Sequence, residues 1–125
     1  MDSLLSQEFL SATQTLAENL AASEPIVRYA HAKKILNNDA ASQELLAKLS
    51  AVQAGLRNLQ LRSAVRQSDI DELRSLQDKA QTNPIIVDYA QAQQNAVAYL
   101  REINVEISQL IGLDFAALAR RSSCC

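Results

Sequence analysis

The stretch that decides the fold runs from residue 83 to residue 112 and reads NPIIVDYAQAQQNAVAYLREINVEISQLIG. It opens on Asn83-Pro84, an N-cap residue followed by a proline that the first helical turn tolerates. Gly112 stands where a helix commonly ends in a left-handed residue. Between them, a mostly apolar seam recurs at steps of three and four: Gln93, Ala96, Leu100, Ile103, Ile107 and Leu110. The stretch therefore predicts one long amphipathic helix with heptad spacing.

The residues before this stretch predict further helices. An apolar stripe predicts a first helix over residues 4–21, and Ser23-Glu24-Pro25 predicts the capped start of a second helix that runs to Leu36. Asn37-Asn38-Asp39 predicts a break and a new cap, and Ser68 predicts the cap of a fourth helix.

The third helix is predicted to run from Asp39 to about Arg66. Two heptad-spaced helices of about 40 Å are too long for a compact chain of this length, whose radius of gyration would be about 14 Å. We therefore predict an elongated antiparallel helical hairpin or bundle of about five helices, which self-associates as a dimer or larger assembly through its long helices. The predicted interface residues are Leu45, Leu49, Val52, Leu56, Leu59, Leu100, Ile103, Ile107 and Leu110.

The composition agrees with an all-α fold. The 125 residues are 48% apolar but only 4% aromatic, and they include Gly 2 and Pro 2. Sandwiches and barrels need many Gly and Pro turns, and nucleotide-binding folds need glycine-rich phosphate loops, so this composition excludes both classes. We predict one helical domain over residues 1–121 and a flexible tail over residues 122–125.

A heptapeptide recurs within the chain. Residues 26–32 read IVRYAHA, and residues 86–92 read IVDYAQA, each just after a proline-marked helix start. Small residues let another helix approach closely, and an aromatic ring fills the space beside them. The recurrence of this heptapeptide predicts a structural repeat, which is a packing feature without catalytic chemistry. Its key residues are Tyr29, Ala32, Tyr89 and Ala92.

The charge and the N-terminus exclude several classes of protein. Twelve basic and fourteen acidic residues give a net charge of -2, whereas proteins with a phosphate-binding surface usually carry a basic excess. Direct nucleic-acid binding is therefore not expected. The N-terminus lacks the basic region of a signal peptide, and no apolar run is long enough to span a membrane, so we predict a cytoplasmic protein.

Catalytic constellations are not apparent in the sequence, and we predict no enzymatic activity. His31 is the single histidine and has no partner at the spacing of metal ligands or catalytic residues. Basic residues gather around the turn after the third helix. These are Arg57, Arg62, Arg66 and Arg74. They are typical of a solvated face, with a partner-docking or RNA-contacting patch as the alternative.

Cys124 and Cys125 are the two cysteines of the chain and occupy its last two positions. Adjacent cysteines rarely pair with each other, because the ring that closes them is strained. Two thiolates could ligate a soft metal or a [4Fe–4S] cluster if another chain supplied the remaining ligands. Incidental reactive thiols are the alternative interpretation.

Four stretches together carry a family resemblance. They read SEPIVRYAHA over residues 23–32, DAASQELL over 39–46, QAG over 53–55 and NPIIVDYAQA over 83–92. Their order and spacing over nearly the whole chain resemble the YlbF/YmcA family of small bacterial helical regulators. The resemblance implies an all-α, usually oligomeric protein without enzymatic activity. It also implies a role in the control of competence, sporulation and biofilm formation.

The resemblance further implies partners and a cofactor. Well-known family members act in a complex with two other proteins that supports messenger-RNA processing by a membrane-associated endoribonuclease. That complex carries iron–sulfur clusters bound partly by cysteines near C-terminal ends, the region that Cys124 and Cys125 occupy here. We therefore predict a regulatory adaptor that works through protein–protein interaction. A metal- or cluster-binding redox sensor and a structural coiled-coil module are the two alternatives.

Overall fold

The computed structural model describes residues 6–112, and five α-helices account for nearly all of them. The helices are α1 (Gln7–Ala22), α2 (Glu24–Asn38), α3 (Ala40–Leu61), α4 (Gln67–Thr82) and α5 (Pro84–Ile111). The described residues include no β-strand. The prediction of an all-α fold of about five helices is therefore confirmed for this part of the chain.

The helices are distributed over two compact units. Among the described residues, unit 1 contains residues 6–27 and 93–112, and unit 2 contains residues 28–92. Helices α2 and α5 each contribute to both units, so the boundary between the units falls inside helices. The predicted single domain over residues 1–121 extends beyond the described residues and stays a prediction, and the tail over 122–125 lies outside them.

Two of the predicted helix starts are confirmed by their hydrogen bonds. The Asp39 carboxylate accepts a bond of 3.0 Å from the backbone N–H of Ser42 at the start of α3. The Asn83 side-chain oxygen accepts bonds of 2.9 and 3.2 Å from the N–H groups of Ile85 and Ile86 at the start of α5. Each cap satisfies N–H groups that have no partner inside their own helix.

The predicted end of the third helix and the predicted start of the fourth are wrong. Helix α3 ends at Leu61 rather than near Arg66, because Ser63 adopts a left-handed conformation with φ of 52° that turns the chain. Helix α4 begins at Gln67, and Ser68 does not cap it. Its start is fixed by the Asp69 carboxylate, which accepts a 3.0 Å bond from the Arg66 N–H.

The start of the first helix and the cap of the second also differ from the prediction. Helix α1 begins at Gln7 rather than at residue 4, with the Ser6 hydroxyl accepting a 3.1 Å bond from the Phe9 N–H. Helix α2 does begin after Ser23, yet the Ser23 side chain does not cap it. Its hydroxyl instead donates a 2.7 Å bond back to the carbonyl of Asn19 in α1. Gly112, with φ of 73°, ends α5 in the left-handed conformation that the sequence predicts.

The core of unit 2 is small, and it forms where α3 packs against α4. Its buried apolar side chains come from four helices and are Ala32, Leu36, Leu56, Leu76, Ala80 and Ala92. Beside them Ser42 is completely buried, and its hydroxyl donates to the Asp39 carboxylate and accepts a 3.1 Å bond from the Asn83 side-chain amide. One buried hydroxyl therefore connects the caps of α3 and α5.

Asn83→Ala should lower the free energy of unfolding by about 1–2 kcal/mol. The substitution removes a cap of α5 and also the amide that bonds to the buried Ser42 hydroxyl. Asn95→Ala, at an exposed position within α5, is the matched control and should change stability by less than about 0.5 kcal/mol. Urea unfolding followed by circular dichroism compares them, and equal midpoints for the two variants would contradict this role of Asn83.

Candidate interaction surface

The two copies of the repeated heptapeptide contact each other through residues that belong to unit 2. The rings of Tyr29 and Tyr89 lie with centroids 5.7 Å apart at an interplanar angle of 34°, and their hydroxyl oxygens are 3.4 Å apart. One position earlier in each copy, Arg28 and Asp88 form an ion pair of 3.5 Å. Each residue thus contacts its own counterpart, the pattern of a local two-fold contact.

The pattern of burial repeats along with the sequence. From residue 23 to 36 and from residue 83 to 96, the order of exposed, half-buried and buried side chains is the same at all fourteen positions. Ala32 is 3% exposed and Ala92 is fully buried, as close approach at a small residue requires. Equivalent positions of the two helix starts are therefore buried to the same degree, and five of the seven heptapeptide residues are identical.

The contact between the two tyrosine hydroxyls affects the titration of Tyr89. The hydrogen bond with the Tyr29 hydroxyl, which favours the neutral form of Tyr89, raises the pKa of Tyr89 above its ordinary value near 10, and partial burial acts in the same direction. The folded protein thus favours neutral Tyr89. The stability that this preference contributes is present below pH 10 and is lost as the pH rises through the raised pKa, because the unfolded chain then binds fewer protons.

Tyr89→Phe should make unfolding less sensitive to alkaline pH. The urea midpoint of the parent chain should fall between about pH 9 and about pH 11 by more than that of the variant, since a phenylalanine side chain cannot titrate. Lysine titration is common to both proteins and cancels in the comparison. An equal loss of stability in both would show that the hydroxyl contact is absent in solution.

Contact between the two rings predicts non-additive mutations. Both tyrosines are half-buried, so Tyr29→Ala and Tyr89→Ala should each cost about 2 kcal/mol, below the range for a fully buried aromatic residue. A double-mutant cycle should give a coupling energy of about 0.5–1.5 kcal/mol. The corresponding Tyr→Phe cycle keeps both rings and should show little coupling. If the alanine variants are additive, the rings do not interact in solution.

Unit 1 contains a hydrogen bond that the sequence does not reveal. The hydroxyl oxygens of Ser23 and Tyr99 are 2.9 Å apart. Because the Ser23 hydroxyl already donates to Asn19, the Tyr99 hydroxyl is the donor in this contact. The bond attaches the C-terminal end of α1 to α5. Tyr99 lies outside both copies of the heptapeptide, and no spacing rule distinguishes it from other helical tyrosines.

Helix α1 is the least buried element of unit 1. None of its sixteen residues is buried, although it carries an apolar stripe. Phe9 is 55% exposed and Leu16 is 41% exposed. A helix of this length is only marginally stable in water unless a neighbour covers its apolar side. The described part of the chain leaves that side of α1 open.

Exposed apolar side chains are concentrated in unit 1. Twelve large apolar residues are exposed among the described residues, and nine of them belong to unit 1. Unit 1 nevertheless contains fewer than half of all the described residues. These nine are Phe9, Leu10, Leu16, Val27, Val97, Leu100, Val105, Leu110 and Ile111. Exposed apolar side chains that adjoin one another are typical of a surface that another macromolecule covers. We call these nine residues the apolar surface of unit 1.

The structure separates the predicted interface residues into two groups. In α3, Leu56 is buried, and the other four are half-buried: Leu45, Leu49, Val52 and Leu59. In α5, Leu100 is 44% exposed and Leu110 is 86% exposed, while Ile103 and Ile107 are half-buried. Packing against α4 already occupies part of the α3 seam. The prediction of self-association thus depends mainly on α5.

The charge of unit 1 is unbalanced. Its described residues include five glutamates, and the single basic residue among them is Arg101. The glutamates are Glu8, Glu18, Glu24, Glu102 and Glu106. Among residues 6–112 both ion pairs lie in unit 2, Arg28 with Asp88 and Glu44 with Lys48, so none of these five glutamates is paired there. The apolar surface of unit 1 is therefore accompanied by negative charge.

Other predicted features do not form a chemical site in the described residues. His31 is exposed, as are Arg57, Arg62, Arg66 and Arg74 around the α3–α4 turn. Within residues 6–112 no group of three or more His, Cys, Asp or Glu side chains is placed to hold a metal ion. Cys124 and Cys125, with the predicted cluster, lie outside the described residues. Ligation of a metal or cluster by these two cysteines therefore stays a prediction.

Surface clefts accompany the helices of unit 2. The larger, of about 450 Å³, lies where the start of α3 meets the end of α4 and the start of α5, with Lys48 and Lys79 at its edge. A smaller one of about 130 Å³ lies between α3 and α4. The described lining of each lacks histidine and cysteine, the most common bases and nucleophiles.

Comparisons with known proteins agree with this architecture. The family model described as control of competence regulator ComK, YlbF/YmcA, matches residues 10–111. A crystal structure of Bacillus subtilis RicA in complex with RicF has a similar fold, with a TM-score of 0.73 and 20% identity over 86% of this chain and 96% of that chain. No curated protein matches the chain significantly. Among the described helices, none has the length and apolar character needed to cross a membrane.

Proposed function

Because the chain belongs to the YlbF/YmcA family, we propose that it is a non-enzymatic regulatory adaptor that acts by binding other proteins. The observation that carries this proposal is the apolar surface of unit 1, which holds nine of the twelve exposed large apolar side chains among the described residues. Such a surface costs free energy in water and is stabilised when a partner covers it.

The comparisons support a protein as that partner. RicA, which shares this fold, is crystallised in complex with RicF. The family description also connects the chain with the control of a competence regulator. We extend the proposal to developmental regulation and to complexes that support messenger-RNA processing, as the sequence resemblance implies. The chain would bring regulatory proteins together in such a complex and would not transform a substrate.

We propose in addition that copies of the chain associate with each other through α5. Leu100 and Leu110 lie on the seam predicted to join copies of the chain, and both are exposed. A protein partner and a second copy would both cover the same apolar residues, and a pair of matched variants can test the use of this surface in either case.

Leu110→Asp should abolish complex formation, whereas Leu61→Asp should not. Both leucines are 86% exposed, but Leu110 belongs to unit 1 and Leu61 ends α3 in unit 2. Because neither side chain is buried, both variants should unfold at nearly the same urea concentration as the parent chain. A carboxylate in a covered apolar surface would cost several kcal/mol of binding free energy.

The measurements are light scattering for self-association and recovery of partners from native lysate with the tagged chain. We expect the parent chain and Leu61→Asp to give the same assemblies, and Leu110→Asp to lose them. If Leu110→Asp binds as the parent does, the apolar surface of unit 1 is not the binding surface and the adaptor proposal loses its basis.

A further inference from the structure

The larger cleft of unit 2 combines apolar lining with basic edges. Its volume is about 450 Å³, and it lies between the first half of α3 and the second half of α4. Its most buried apolar lining residues are Leu45 and Leu76, and Lys48 and Lys79 lie at its edge. Clefts between helices commonly receive the apolar side of another helix.

The two lysines at this cleft differ in their ion pairing. Lys48 pairs with Glu44 of the same helix at 3.2 Å, whereas Lys79 has no ion-pair partner within residues 6–112. Glu44 is the single acidic residue in the described lining, so the cleft has an excess of positive charge. An occupant that carries a carboxylate beside its apolar residues has the complementary charge.

Helix α1 has an apolar stripe with a carboxylate at its edge. Phe9, Leu16 and Leu20 follow one another at spacings of seven and four, so they lie on one side of this helix. Phe9 is 55% exposed and Leu16 is 41% exposed. Glu8 lies about 100° around the helix from Phe9. Residues 1–27 contain no lysine or arginine, so no basic residue there opposes binding to a positively charged cleft.

A second copy of the chain provides this helix, because α1 buries none of its own side chains. Resting on the proposed self-association, we infer that α1 of one copy lies in the cleft between α3 and α4 of the other copy. Phe9 and Leu16 cover the apolar lining, and Glu8 pairs with Lys79. Two such contacts, one from each copy, close a symmetric dimer. The second copy is then the partner that covers α1, and the free chain is the monomer of dilute solution.

Neighbouring residues of α1 provide a matched pair of variants. Phe9→Ser should raise the dissociation constant of the dimer about tenfold, whereas Leu10→Ser should change it by less than about twofold. Both side chains are exposed and apolar, but Leu10 lies about 100° around the helix from Phe9, away from Leu16 and Leu20. Sedimentation velocity of the full chain over a dilution series measures the constant. Circular dichroism checks that both variants keep the parent's helix content.

Charge exchange tests the pairing of Glu8 with Lys79. Glu8→Lys and Lys79→Glu should each weaken the dimer about threefold, and a chain that carries both substitutions should regain the parent's dissociation constant. The control is Arg74→Glu, at an exposed position of α4 outside the described lining of the cleft. It changes the net charge as Lys79→Glu does, and we expect it to leave the dimer nearly unchanged.

Paramagnetic relaxation between copies locates α1. A spin label is attached at Ser11→Cys, on the side of α1 opposite Leu20, in a chain whose two native cysteines are replaced by serine. This chain is mixed with unlabelled chain that carries ¹⁵N, so every effect on its amides comes from the other copy. Amides of residues 41–48 and 76–84 should broaden. Amides of residues 57–66, at the other end of α3 and in the turn that follows, should not.

Several results would overturn the inference. They are a parent chain that is monomeric at every concentration, equal effects of Phe9→Ser and Leu10→Ser, no recovery on charge exchange, and broadening outside the cleft. Binding of α1 within its own chain would leave the ¹⁵N copy unbroadened and would overturn it too. If Leu110→Asp loses its assemblies while these tests fail, the adaptor proposal stands and only the place of α1 in the cleft is wrong.

Discussion

Contact between the starts of α2 and α5 is the constraint on which unit 2 depends. Tyr29 meets Tyr89, and Arg28 meets Asp88, so equivalent residues of the repeated heptapeptide face each other. The alanines that follow are buried, and this allows close helix approach without a large side chain. A second connection comes from Ser42, whose buried hydroxyl joins the cap residues Asp39 and Asn83. Unit 2 thus obtains its order from a few local and polar contacts around a small apolar core.

Unit 1 depends on a different balance. Its helix α1 buries no side chain, and large apolar residues of α5 are exposed as well. The free energy that orders a helix in water comes mostly from covering its apolar side. In unit 1 that covering must come from beyond residues 6–112. This contrast supports the proposal that unit 1 is the part of the chain that binds a partner.

Local rules were sufficient for much of the fold. The caps at Asp39 and Asn83, the left-handed Gly112 and the presence of five helices all follow from residue types at helix ends. The end of α3 was missed, because the left-handed residue at the turn is Ser63, and serine gives no such indication in a sequence. Ser23 was assigned the wrong role, since its hydroxyl can bond backward to Asn19 as readily as forward.

The candidate surface was harder to predict, because heptad spacing does not reveal what will cover a seam. The α3 seam and the α5 seam look alike in the sequence, yet α4 packs on the first and Leu110 of the second is 86% exposed. The spacing that predicts α1 does not show that its apolar stripe stays open. Tertiary packing decides such questions, and it depends on residues distant in sequence.

Hydrogen–deuterium exchange of the backbone amides, in the free chain and with its partner bound, tests the central claim most directly. Exchange protection reports local stability, and a helix without buried side chains should open easily. We predict fast exchange along α1 and slow exchange along α3 and α4 in the free chain. With the partner bound, α1 and the second half of α5 should become protected. An α1 that is as protected as α3 in the free chain would contradict the claim that its apolar side is left for a partner to cover.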